Sequence, residues 1–148
     1  MNYHKIKKYL CPIIKEKPKV CIILGSGLEH LENYIEDSIS IPYDSIPNFY
    51  KTTVKGHKGE FIYGNINNIP LLCAKGRFHY YEGYTFEEVG SLIEIFNFFN
   101  PTLCIITNSS GCLDKSWPIG SLMLSNKIID FSFRRSSKHK KYFFKKTQ

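Results

Sequence analysis

Lys19-Val-Cys-Ile-Ile-Leu24 is a run rich in β-branched residues that stops at Gly25-Ser26-Gly27, after which Leu28, Leu31 and Tyr34 recur at helical spacing. Strand, glycine turn, helix is the predicted order. Glu60 to Ile66 and Ile69 to Ala74 read as two strands joined by a tight turn at Asn67-Asn68, with Pro70 weakening the start of the second. Thr85-Phe-Glu-Glu88 has the spacing of a capping box, in which hydroxyl and carboxylate reciprocally satisfy orphan amides, and it opens a helical run through Phe98. Val89, Leu92, Ile93 and Phe96 are its expected buried face. Pro101 then leads to a short apolar strand, Leu103 to Ile106, and to the polar stretch Thr107-Asn-Ser-Ser-Gly111. An antiparallel pair inside a series of strands alternating with helices predicts an α/β fold. Its mixed central sheet is flanked by helices, with a site at the strand ends.

The remaining segments are less regular. Tyr3, Ile6 and Leu10 predict a short leading helix over residues 2–10, ended by Pro12, and Ser38 to Tyr43 alternates as a strand. Ser45 to Gly59, punctuated by Pro47 and Gly56, is expected to be a loop whose charged and aromatic residues face a ligand. Ser121 to Asp130 is a candidate further strand. The net charge of +7 suggests a nucleic-acid binder until its distribution is considered: seven of the 20 basic residues lie beyond residue 131 and no acid lies beyond Asp130. Residues 1–131 are neutral and form the expected domain, and 132–148 form a basic tail expected to be disordered. Nucleic acid is therefore not the expected partner.

Hydrophobic residues make up 43% of the 148 residues and charged ones 22%, which excludes a disordered chain. The apolar run Val20 to Leu24 is too short and its flank too charged for a signal-peptide core or a membrane span, so no membrane association is expected. Five cysteines, at 11, 21, 73, 104 and 112, are odd in number and lack CxxC spacing, which indicates neither a closed disulfide framework nor a metal site. Cys21, Cys73 and Cys104 lie in apolar runs, where reduced thiols act as small core hydrophobes, and a cytoplasmic location is expected.

Three places carry chemistry. At Gly25-Ser26-Gly27 backbone amides and the Ser26 hydroxyl can bind an anion, or the segment is a structural turn. A dinucleotide fingerprint is disfavoured because His30 takes the third glycine slot, and a P-loop because its lysine is lacking. In Gly76-Arg-Phe-His-Tyr-Tyr-Glu-Gly83, Arg77 and His79 are two residues apart and point the same way if the strand continues. A guanidinium fork and an imidazole donor suit a phosphate, the alternative being a surface arginine and a satisfied histidine. Thr107 to Gly111 offers hydroxyls and amides at another strand end, or is a plain capping loop. Convergence of the three favours an anion site.

Val20 to Leu28, Ile46-Pro-Asn-Phe49, Val54-Lys-Gly-His-Lys-Gly59, Gly76-Arg-Phe-His-Tyr-Tyr-Glu-Gly-Tyr84 and Thr107 to Gly111 together resemble the trimeric purine nucleoside phosphorylases. The resemblance runs from about residue 3 to about residue 131 and implies the incomplete nucleoside phosphorylase fold, its amino-terminal half only. It implies a pentosyltransferase that splits purine ribonucleosides or deoxyribonucleosides with inorganic phosphate, giving free base and pentose 1-phosphate. Phosphate is then a co-substrate, no cofactor is called for, and the family's assembly is a homotrimer. By the same resemblance Ser26, Arg77, His79 and Ser109 are phosphate-binding positions, and Ser109 contributes its backbone amide. His57 and His79 are candidate catalytic residues, Tyr81 lies near the sugar, and Asn108 in the base-pocket loop is more like the inosine and guanosine enzymes. Full-length members are roughly twice as long, in keeping with larger α/β domains. The alternative expectation is a non-catalytic remnant that binds phosphate or pairs with a full-length subunit.

Overall fold

The structure is a computed structural model that describes residues 2–50 and 59–129. Its first compact unit extends to Gly111 and holds the regular elements of the described residues, in the order α1 (Tyr3–Leu10), β1 (Val20–Leu24), a 3-10 helix (Glu29–Tyr34), β2 (Glu36–Pro42), a 3-10 turn (Tyr43–Ser45), β3 (Glu60–Ile66), β4 (Ile69–Lys75), a second 3-10 turn (Tyr80–Glu82), α2 (Phe86–Val89), α3 (Ser91–Phe99) and β5 (Leu103–Ile106). The strands form one sheet in the order β2-β3-β4-β1-β5. β1 runs parallel to both β4 and β5, while β3 is antiparallel to β2 and β4. The mixed α/β sheet expected from the sequence is borne out. Its hairpin turns at Asn67 and Asn68 with φ of 50° and 61°, a left-handed pair that asparagine tolerates and that matches strand twist.

Alternation along the strands builds two cores. Cys21 and Ile23 of β1 and Leu72 and Ala74 of β4 face a layer containing Ile6 and Leu10 of α1 and Leu92, Ile95, Phe96 and Phe99 of α3. Ile22, Leu24, Leu71 and Cys73 face the other way and join Ile35 and Ile62 in a smaller cluster. The larger core is aromatic at its centre: Tyr43 packs edge-on to Phe49 and Phe61 with ring centroids 5.0 and 4.8 Å away. Phe49, placed in a ligand-facing loop by the sequence, is a core residue instead. A further tether comes from Tyr63, whose hydroxyl accepts from the Glu16 amide at 3.0 Å and lies 3.1 Å from the Glu16 carbonyl, holding the segment between α1 and β1.

Several expectations are corrected by packing. Leu28, Leu31 and Tyr34 recur every three residues, which is the 3-10 period, and the Glu29–Tyr34 helix buries no side chain completely. The run from Thr85 is two helices, because Gly90 (φ −76°, ψ −6°) breaks it after a single capped turn. The capping box itself is present: Thr85 Oγ1 accepts from the Glu88 amide, and a Glu88 carboxylate oxygen accepts from the Thr85 amide at 2.6 Å. The buried face of α3 is Leu92, Ile95, Phe96 and Phe99, with Ile93 half-buried. Cys104 is half-buried because β5 is the last strand of the sheet, paired with β1 alone among the described residues. Residues 121–129 are exposed and form no strand, since a strand needs a partner for its ladder. The second unit starts at Cys112, and its described part holds local turns such as Ser116, whose amide and hydroxyl donate to Asp114 Oδ1 at 2.9 and 2.7 Å. Residues 51–58, Asp130 and the basic tail lie outside the described residues.

No helix among the described residues is long and apolar enough to cross a membrane, and no group of three or more His, Cys, Asp or Glu is placed there to hold a metal ion. Two tests follow from the cores. Ser91 is fully buried and its hydroxyl has no hydrogen-bond partner among the described residues, so Ser91→Ala removes a desolvated group and adds a better helix former. Thermal unfolding should show it more stable, by about 1 kcal/mol. Burial pushes the Cys21 and Cys73 thiols up from 9.0 to about 12. Their neutral forms therefore favour the fold fully below pH 9.0, and that contribution is lost as pH rises towards about 12. Denaturant titrations should find stability falling across this window, and a thiol reagent at neutral pH should modify the exposed Cys11 and Cys112 long before Cys21 or Cys73.

Candidate active site

The tips of β1, β4 and β5 meet at Thr107. Its hydroxyl accepts from the Gly25 amide at 2.7 Å and donates to the Ile23 carbonyl at 2.9 Å, while its own amide donates to Ile23 at 3.1 Å. From β4, Arg77 donates through Nη1 to the Thr107 carbonyl at 3.1 Å. Close approach is possible because Gly25 has no side chain: a Cβ there would stand 2.6 Å from the Thr107 carbonyl oxygen and 2.8 Å from the Asn108 Cα. Ser26 follows directly and is exposed, as are Asn108 and Ser109 on the other side of the junction.

The turn after β4 is also fixed from below. Gly76 adopts φ +86°, which ends the strand at Lys75, and its carbonyl accepts from the buried Tyr43 hydroxyl at 2.9 Å. Burial raises that hydroxyl well above the ordinary tyrosine value, so it stays a donor. β4 does not continue, so Arg77 and His79 lie in the segment after the strand and not on it. Arg77 is half-buried against Thr107, whereas the His79 ring stacks on Tyr81 with centroids 4.8 Å apart and planes 15° apart. Phe78 between them points into the aromatic core, 5.8 Å from Tyr43 and 5.2 Å from Tyr84.

The structure thus brings Ser26, Arg77, Asn108 and Ser109 to one junction. His79 and Tyr81 form a stacked pair just beyond Arg77, with Tyr81 82% exposed. Asn108 Nδ2 donates to the Ser109 carbonyl at 3.2 Å, which shapes the loop locally. His57 lies outside the described residues. Hydroxyls, backbone amides and one guanidinium gathered at open strand ends form a donor-rich rim suited to an anion. Sequence reasoning missed Tyr43, Thr107 as the hub, and Lys75, whose ammonium lies 2.6 Å from Glu32 and 3.4 Å from Glu60. A threonine closing an apolar strand directly before an exposed polar loop was the available signal for the hub.

Comparison with known proteins bears on the fold and the family. The purine nucleoside phosphorylase 1 of Geobacillus stearothermophilus is 41% identical over 121 residues, covering 79% of this chain and 44% of that protein. A Schistosoma purine nucleoside phosphorylase solved with hypoxanthine superposes with a TM-score of 0.72 at 33% identity, over 80% of this chain and 41% of that one. Another purine nucleoside phosphorylase, in complex with ribose 1-phosphate, gives 0.73 at 34% identity, over 80% and 44%. The chain spans less than half the length of these relatives, and the resemblance read from its motifs is borne out over that part. The model of the phosphorylase superfamily matches residues 19–147, and the chain belongs to that superfamily.

Proposed function

We propose that this chain carries the phosphate-binding half of a purine nucleoside phosphorylase, a pentosyltransferase that converts a purine ribonucleoside or deoxyribonucleoside and inorganic phosphate to free base and pentose 1-phosphate. The observation that carries the reading is the Thr107 junction, which gathers the Ser26 turn, Arg77 and the 108–111 loop at the strand ends. Support also comes from relatives that carry this name and from the hypoxanthine and ribose 1-phosphate bound in two of them. Residues 1–131 belong to the nucleoside phosphorylase domain and 132–148 to a basic tail. Phosphate is the co-substrate, and a homotrimer in the cytoplasm is the proposed working form. The free, buried thiols of Cys21 and Cys73 suit a reducing compartment.

In this reading Ser26, Arg77, His79 and the Ser109 amide hold the phosphate dianion, and Tyr81 lies against the sugar. Asn108 belongs to the base-pocket loop, and His57 and His79 act as the catalytic histidines near the phosphate. The dianion sits beneath the anomeric carbon, so attack accompanies lengthening of the glycosidic bond as positive charge develops on the sugar. Positioning and electrostatic stabilisation then supply the acceleration. Charge-assisted contacts from Arg77 account for much of the anion affinity.

A phosphate-dependent assay for release of hypoxanthine from inosine tests the reading, with turnover expected. Arg77→Ala should weaken phosphate by about 10- to 100-fold, as loss of a hydrogen-bonded charge does, and Ser26→Ala should lower activity to a smaller degree. If no turnover appears while orthophosphate still raises the melting temperature, the chain binds phosphate without catalysis. If orthophosphate does neither, the proposal fails. Gly25→Ala drives a Cβ into the Thr107 backbone. It should cost about 1–3 kcal/mol of stability in denaturant unfolding and abolish the phosphate response.

A further inference from the structure

Lys75 closes β4, where it pairs in register with Leu24 of β1 and Glu60 of β3. Its ammonium reaches Glu32 Oε2 at 2.6 Å and Glu60 Oε1 at 3.4 Å, and Ser40 of β2 donates to the other oxygen of Glu60. One cation therefore ties the 3-10 helix that follows the Ser26 turn to the tips of β3 and β4. The hydrogen bond that the ammonium donates to Glu32 raises it above its ordinary value, so it remains charged at neutral pH.

The 3-10 helix needs such a tie. It buries no side chain completely, and Leu31 is only partly buried against the smaller core. Side chains three residues apart on a 3-10 helix lie one above the other. Glu29 and Glu32 have that spacing and grip opposite neighbours: Glu29 Oε2 accepts from the Gly27 amide at 2.9 Å, while Glu32 holds Lys75. The helix is thus a short strut between the glycine turn and the sheet. We propose that Lys75 is a positioning residue which, through Glu32 and this strut, fixes the turn carrying Ser26 where an anion is received. The inference rests on the phosphate reading given above. Lys75 also offsets one of two carboxylates, so its loss leaves uncompensated negative charge beside a site for a dianion. With side-chain exposures of 30% for Lys75, 32% for Glu32 and 21% for Glu60, solvent screens the cluster and the effect is moderate.

The test compares the full chain with its Lys75→Met, Lys75→Arg and Glu32→Gln variants, using amide hydrogen exchange and calorimetric titration with orthophosphate. Lys75→Met should speed exchange across residues 26–34 and weaken orthophosphate by roughly two- to fivefold, the range for a partly exposed ion pair. Glu32→Gln should speed exchange in the same segment, and Lys75→Arg should restore both readouts. Protection of β1 and β4 should stay as in the unaltered chain, which a general loss of stability would not allow. Unchanged exchange in Lys75→Met, an increase spread evenly over β1 and β4, or no recovery with arginine would overturn the inference. If the unaltered chain takes up no orthophosphate, the phosphate reading falls instead, and exchange alone upholds or overturns the clasp.

Discussion

The bridge from the Gly25 amide through the Thr107 hydroxyl to the Ile23 carbonyl is the contact on which the site depends. It joins residues more than eighty positions apart in sequence and sets β5 beside β1 at the strand ends, where ladder hydrogen bonds stop. Each bond contributes about 1 kcal/mol net, but losing the hydroxyl would also strand the amide of buried Gly25 without its partner. The same threonine offers its carbonyl to Arg77, so one residue aligns three loops. Geometry of this kind lowers the cost of binding an anion because the donors are ordered before it arrives.

Burial is unequal on the two faces of the sheet, and that inequality explains how the site is held. On one face α1, α3 and the aromatic cluster around Tyr43 form a continuous core that reaches up to Gly76 through a tyrosine hydroxyl. The turn bearing Arg77 is therefore anchored by packing. On the other face the cluster is small and the 3-10 helix lies over it with little apolar contact. The turn bearing Ser26 depends there on polar contacts, from Glu29 and from Glu32 to Lys75. Two sides of one site thus rest on different physics: dispersion and desolvation under Arg77, solvent-screened charge beside Ser26.

Much of the fold was legible because its signals are local. The strands at 20–24, 60–66 and 103–106 follow from β-branched runs and their breakers, the hairpin from Asn67-Asn68, and the start of α2 from the Thr85–Glu88 box. The misread elements depended on neighbours. Leu28, Leu31 and Tyr34 fit an α-helix or a 3-10 helix until the lean core beneath them is known, and Ser121 to Ile129 looks strand-like only while a partner is assumed. For the candidate site, Ser26, Arg77, Asn108 and Ser109 were named from residue chemistry and the family motifs, and the structure sets them at neighbouring strand ends. The strand on which Arg77 and His79 were expected to lie ends before either of them, at the left-handed turn of Gly76.

Periodicity, turn residues and the string around Arg77 determined by themselves the class of fold, the order of its strands along the chain and the family resemblance, because each is written in contiguous residues. Tertiary structure alone decided which strands are neighbours, that Thr107 joins three strand tips, and that Lys75 faces Glu32 and Glu60. Those pairings join residues distant in the chain, and such contacts are fixed only when the sheet has set its register and its two faces have been covered.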